Sequence, residues 1–198
     1  MVKTKLLDLL IARSYRHADS PSFRLASGKL SNFYVDCKAT TMCGEAMPLV
    51  GQVVASLLPP EADAVGGLTM GADWIAAPTA FHCQLQGRRV DVFSVRKEPK
   101  AHGLKKWIEG CAERGSKVVV LDDVVTTGGS TIDAIRRCRE EGLRVVGVVA
   151  LIDRQEENGM ENIRLEAGPD VPLAAVFTHA DLEARWRARA AGAHAATG

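Results

Sequence analysis

One kind of segment limits the fold of this chain more than any other. Val118-Val119-Val120-Leu121 is an unbroken apolar run with no alternation, and a second such run spans Val145 to Leu151. A strand that is apolar on both faces must be covered on both faces, as in parallel sheets packed between helices rather than antiparallel sheets wetted on one side. Strand-like and helix-like segments alternate around these runs. A helix is expected over 45–58, a short strand over 64–67, a helix after Gly71 and a strand over 89–95. Then come a strand over 117–121, a helix ending at Glu141 and the strand over 145–151. This order predicts an α/β fold with a central, mostly parallel sheet flanked by helices.

The N-terminal part is different. Leu6, Leu7, Leu9, Leu10 and Ile11 cluster in a charge-interrupted stretch that suits a covering helix. From Ser20 to Asp36 short alternating runs flank Ser27-Gly28-Lys29, as in a hairpin ending in Asn32-Phe33-Tyr34-Val35, with Phe33 and Tyr34 forming an apolar ledge. The expected organisation is one domain over 1–198: a small hood, about 1–40 plus the C-terminal segment, on a core of about 41–155. The Ala- and Gly-rich tail from Ala188 to Gly198 is expected to fray.

Composition narrows the function classes. A formal net charge of +1 provides no global field for nucleic acid or an anionic membrane, so neither is expected as a partner. No run of about 18 uncharged apolar residues occurs, and a cytoplasmic location follows as the expectation. Cys37, Cys43, Cys83, Cys111 and Cys138 form no CxxC pair and are read as reduced thiols.

The chemistry concentrates after the first buried run, in Asp122-Asp123-Val124-Val125-Thr126-Thr127-Gly128-Gly129-Ser130-Thr131. A buried strand brings two carboxylates to its carboxyl end, where open α/β sheets bind ligands. Paired glycines flanked by hydroxyls then open a helix, whose free amides and positive dipole end suit a phosphate. Asp122 and Asp123 would take two ribose hydroxyls, and Thr126, Thr127, Gly128, Gly129 and Ser130 would wrap a 5-phosphate. The plainer alternative is that the aspartates end a strand and Ser130 or Thr131 caps the next helix. Neither GxGxxG nor GxxxxGK[ST] is present, so dinucleotide and nucleoside triphosphate sites lose on spacing.

This segment resembles the phosphoribosyl pyrophosphate (PRPP) motif of type I phosphoribosyltransferases. Three further stretches resemble orotate phosphoribosyltransferases in particular: Phe23 to Asp36, Arg96-Lys97-Glu98-Pro99-Lys100-Ala101-His102-Gly103, and Asp153-Arg154-Gln155-Glu156. The resemblance runs in family order from about Phe23 to Glu156. It implies a type I phosphoribosyltransferase fold with a flexible catalytic loop. In that reading Lys100 closes over the pyrophosphate as the main catalytic residue, assisted by Arg96, Lys97 and His102, with Asp123 counted among the catalytic groups. Phe33, Tyr34, Thr126 and Arg154 would contact orotate, and the backbone of Thr69, Met70 and Gly71 would bind a diphosphate oxygen. The resemblance also implies Mg²⁺, held mainly by PRPP with Asp122 or Asp123 reached through water, and a homodimer whose 96–102 loop is shared across subunits. Two departures stand out. Ala26 occupies a position where many members carry lysine, and Leu68-Thr69-Met70-Gly71-Ala72-Asp73 replaces a loop that often carries tyrosine and lysine. Other readings remain open on sequence grounds: a transferase for another base, or a regulator that binds PRPP without catalysis.

Overall fold

The computed structural model describes residues 1–24, 28–99 and 106–195. Six of the described strands form one sheet in the order β10-β9-β8-β5-β6-β7, where β5 is Ala64–Leu68, β6 Asp91–Val95, β7 Ile108–Gly110, β8 Lys117–Val125, β9 Arg144–Asp153 and β10 Leu173–Thr178. Every pairing in it is parallel except the edge pair β6 and β7, so the expected sheet is present. The apolar runs do what their composition requires: Val118 to Leu121 and Val148 to Ile152 are buried throughout. Apolar clusters line both faces of the sheet. Alternate β8 residues separate them, Val119 and Leu121 on one side and Val118 and Val120 on the other.

Helices α3 (Met47–Ala55) and α4 (Asp73–Leu85) belong to the first face; α5 (Gly129–Glu140) and α6 (Gly159–Ala167) supply core residues to the second. The connection from β5 through α4 runs to β6 on one side, while that from β8 through α5 runs to β9 on the other. Chain direction across the sheet therefore reverses between β5 and β8, where open α/β sheets leave a crevice. The register deepens it. β5 pairs with β8 only as far as Gly66 with Val120, whereas β8 stays paired with β9 as far as Val125 with Asp153.

The N-terminal helix α1 (Val2–Arg13) buries Leu6, Leu10 and Ile11, as its pattern predicted. It is tied to the C-terminal helix α7 (His179–Ala195) by a two-pronged bond from Arg185 to Asp8, at 2.7 and 2.8 Å. The expectation of a frayed tail is corrected as far as Ala195, to which α7 is helical, with Leu182 and Trp186 packed into the core cluster and Asp181 holding the first turn through Thr178; the rest of that expectation, 196–198, lies outside the described residues.

Two further expectations change. The hairpin survives only as β2 (Phe23–Arg24) with β3 (Leu30–Ser31); β4 (Phe33–Val35) pairs antiparallel with β1 (Tyr15–His17) instead. No strand was expected between Val95 and Lys117, yet β7 lies there and pairs back on β6. The few apolar residues of that segment sufficed: Ile108 packs on the core, and Trp107 lies under the Arg137 guanidinium at 3.6 Å.

Candidate active site

At the crevice, β8 runs four residues further than expected, so Asp122 and Asp123 lie within the strand instead of just past it. Neighbouring strand residues face opposite ways. Asp122 is 8% exposed and turns toward α5, where its Oδ2 accepts a 2.5 Å hydrogen bond from Thr131 Oγ1. Its Oδ1 accepts from the Asp123 backbone N–H at 2.9 Å. Burial pushes the Asp122 carboxyl up to about 7, opposed by the Thr131 bond and reinforced by the neighbouring Asp123 charge. Asp123 faces the other side, toward the loop after β5. A Cβ at Gly71 would collide with its carboxylate, so a side chain there would have to displace Asp123.

After β8 the chain turns through Thr126, Thr127 and Gly128 into α5. Gly128 is the N-cap, with φ +82°, and no side chain caps the helix. The capping alternative therefore fails for Thr131, whose hydroxyl goes to Asp122, and the first-turn amides face a concave pocket. That pocket, about 170 Å³, is lined by Asp122 and residues 124–130. Asn162 buttresses it from α6, donating to Thr127 O at 3.0 Å. The hydroxyls and amides of this turn can surround a phosphate.

A second cleft of about 360 Å³ shares Asp122 and Ser130 with the first and extends over Asp123, the Thr69–Gly71 loop, Lys97 and Lys38. The Thr69–Met70 peptide is cis. Asp73 organises this loop: Thr69 Oγ1 donates to its Oδ2 at 2.6 Å and Ser94 Oγ to its Oδ1 at 2.7 Å. The structure thus gives Asp73 a positioning role that its sequence context left open. Arg96 stands at the mouth of the charged segment, its backbone N–H bonded to Trp107 O at 2.9 Å and its side chain 3.5 Å from Glu109. Lys100, His102 and Ala26 lie outside the described residues.

A third group comes from distant parts of the chain. The Arg154 backbone N–H bonds to Val125 O at 3.0 Å, which fixes it beside the start of the phosphate turn. Its side chain is almost wholly buried, its Nε 2.9 Å from Glu156, while Nη2 has no partner. The guanidinium lies over the Phe33 ring at 4.3 Å, and His179 stacks on Phe33 at 3.6 Å and 15°. The expected ledge is corrected by strand alternation: Phe33 is 6% exposed and points into this cluster, whereas Tyr34 is 43% exposed on the opposite face and stacks with Phe23.

The chain is 46% identical over 181 residues to the orotate phosphoribosyltransferase of Aquifex aeolicus, spanning 91% of this chain and 97% of that protein. The chain belongs to the orotate phosphoribosyltransferase family. A family model for the phosphoribosyl transferase domain matches residues 84–168, which contain the phosphate turn. Among solved structures, the orotate phosphoribosyltransferase of Mycobacterium tuberculosis in complex with Fe(III) dicitrate superposes with a TM-score of 0.78 at 33% identity, covering 92% of this chain and 99% of that one. The same enzyme in complex with PRPP gives 0.72 at 28%, covering 91% of each. The type I phosphoribosyltransferase fold expected from sequence is therefore the one observed.

Sequence reasoning missed several residues of this orotate phosphoribosyltransferase site. Thr131 was visible in the motif, with capping as the plainer alternative for it, but its bond to Asp122 was not foreseen. Lys38 and His179 carried no local motif, and only the fold brings Lys38 to the second cleft and His179 against Phe33.

Proposed function

We propose that the chain transfers the phosphoribosyl group of PRPP to orotate, giving orotidine 5′-phosphate and pyrophosphate in pyrimidine biosynthesis. The observation that carries this reading is Arg154: a buried guanidinium with an orphaned Nη2, set over an aromatic ring and pinned beside a phosphate-shaped turn. A flat heterocycle bearing a carboxylate supplies the missing acceptor. Thr126 lines the phosphate pocket next to Val125, to which Arg154 is bonded, and would contact the base from there; Tyr34 would contact the base only if it swung from its present face.

In this reading Thr126 to Ser130 bind the 5-phosphate, while Asp122 and Asp123 accept from the ribose hydroxyls. The bond from ribose C1 to the pyrophosphate oxygen breaks and a bond from C1 to an orotate ring nitrogen forms, with positive charge developing on the sugar and negative charge on the leaving group. The anionic carboxylates lie on the sugar side. Amides of Met70 and Gly71, together with Lys97 and Arg96, face the leaving group; the Thr69 amide, expected to join them, is instead bonded to Val95 O at 2.8 Å. Lys100 and His102, on the segment between, would complete that cation set and exclude water on closure.

Mg²⁺ fits as a companion of the diphosphate. Among the described residues no group of three or more His, Cys, Asp or Glu could hold a metal. Asp122 and Asp123 both line the larger cleft, and either would receive a metal-bound water. The ion would supply charge neutralisation of the pyrophosphate.

We also read the protein as a cytoplasmic homodimer that shares the Arg96 to His102 loop, without nucleic-acid or membrane partners. No described helix is long and apolar enough to cross a membrane. An apolar groove of about 420 Å³ between α3 and α4 supports self-association, since Phe81 and Leu85 in it are each 67% exposed. Phe81→Glu should then lower the mass found by sedimentation; an unchanged mass would remove that face from the interface.

The direct test is loss of orotate absorbance with PRPP and magnesium, with uracil and purine bases in parallel. Magnesium-dependent consumption of orotate is expected. Consumption of another base would overturn the orotate assignment, and PRPP binding without any reaction would leave a regulator.

A further inference from the structure

The loop from Leu68 to Asp73 carries no cation, and Asp73 commits both carboxylate oxygens to Thr69 and Ser94. The cleft it borders nevertheless has two carboxylates in its lining, Asp122 and Asp123. A diphosphate entering beside them needs positive charge from the opposite wall.

We propose that Lys38 is that charge: a diphosphate-binding residue supplied by the hood side of the cleft, facing the cation-free loop. Lys38 opens the short helix α2 (Lys38–Thr41) and lines the same cleft as Thr69 to Gly71 and Lys97. It is held in place twice by Asp36, whose Oδ1 accepts the Lys38 backbone N–H at 3.1 Å and lies 2.8 Å from Nζ. The preceding residue, Cys37, is buried with its Sγ 3.6 Å from Asp123 O, which anchors α2 against β8. The Lys38 side chain is still 45% exposed, and an ammonium has three donors, so two remain after Asp36. The Asp36 bond, with a smaller contribution from Asp123, also holds the ammonium above its ordinary range, so it stays charged at any working pH. A cation fixed beforehand by Asp36 loses little freedom when an anion arrives.

The assignment rests on the PRPP reading of the site, and binding measurements separate the two. Magnesium pyrophosphate, ribose 5-phosphate and PRPP would be titrated calorimetrically into the full-length protein, and KM for orotate and PRPP measured alongside. Lys38→Met should weaken pyrophosphate and PRPP roughly tenfold, the loss expected for one charge-assisted contact. Ribose 5-phosphate affinity and the orotate KM should stay within about twofold, and Lys38→Arg should recover most of the loss. Unchanged pyrophosphate affinity in a folded Lys38→Met variant overturns the proposal. Equal losses for all ligands, or no rescue by arginine, would mark Lys38 as a scaffold for Asp36 and also overturn it. If Lys38→Met does not fold, Lys38→Gln and Lys38→Arg decide on the same criteria. Failure of the wild type to consume orotate while it binds pyrophosphate would sink the activity and leave Lys38 to be judged by binding alone.

Discussion

Asp122 and Arg154 are both buried charges at the carboxyl end of the sheet, yet the protein treats them differently. Asp122, 8% exposed, has both oxygens occupied by its own surroundings, Thr131 and the next backbone N–H. Arg154, 4% exposed, keeps one nitrogen without a partner. A buried carboxyl can also lower its cost by holding a proton, and Asp122 is displaced in that direction. A guanidinium has no such escape, so its desolvation persists until an acceptor arrives. The ribose wall is thus largely settled in the free protein, and the base wall is left incomplete for its ligand.

The sharpest way to break this contrast is pH. The folded value of Asp122, about 7, lies above its ordinary 3.8, so the folded protein holds the proton more tightly than the unfolded chain. The stability this contributes is fully present below about pH 4 and is lost as pH rises through about 7. The excursion corresponds to at most roughly 4 kcal/mol. Urea unfolding of wild type and Asp122→Asn at pH 5 and pH 8 should show the wild type losing ground to the variant at the higher pH. Parallel behaviour of the two would mean that Asp122 is ionised throughout.

Arg154 gives the next largest effect, in affinity rather than stability. Arg154→Met removes the orphaned donor while keeping bulk over Phe33. The orotate KM should rise about a hundredfold, the scale of a lost charge-assisted bond to a buried carboxylate. PRPP binding should hardly move, and stability should change little because an apolar replacement relieves the unpaired group. An equal loss of PRPP affinity would place Arg154 in the phosphate wall and dissolve the division drawn here.

The same division explains what could be read in the sequence. The phosphate wall comes from contiguous residues, 122 to 131, so strand, acids, glycines and helix start appear in order along the chain. Only the role of Thr131 went unassigned, since its bond to Asp122 is a side-chain contact that the order of residues does not announce. The base wall joins Phe33, Arg154 and His179 across the fold. The family resemblance supplied the first two, but nothing local announced His179 or showed that strand alternation turns Tyr34 away. Strand β7 and the helical tail were hidden for a related reason: both are stabilised by what they pack against rather than by their own pattern.

Within the phosphate wall, Gly128 tests how tightly the turn is drawn. At φ +82° a side chain is strained by about 1–2 kcal/mol, and a Cβ would lie 2.7 Å from Gly159 O and 2.8 Å from Ile163 Cγ1. Gly128→Ala should lower the melting temperature by several degrees and weaken ribose 5-phosphate roughly tenfold. Calorimetry showing unchanged affinity would mean that the turn relaxes without disturbing the pocket.

His179 should give the smallest effect, on the base wall. Its ring stacks on Phe33, and its ring nitrogen is 3.3 Å from the Tyr15 hydroxyl. Burial lowers its pKa, against opposing contributions from Glu183 and Glu156, so the stack forms with a neutral ring. A depressed histidine contributes stability above its unfolded value near 6.5 and loses it as pH falls through the lower folded value. His179→Ala should therefore raise the orotate KM only a few-fold, by freeing Phe33 to turn beneath the base, since a stacked aromatic pair is worth about 0.5–1.5 kcal/mol. His179→Phe should restore the KM and remove the acid-side loss of stability together. If alanine leaves the orotate KM untouched, Phe33 is held by Arg154 and Tyr15 alone, and helix α7 has no part in shaping the base wall.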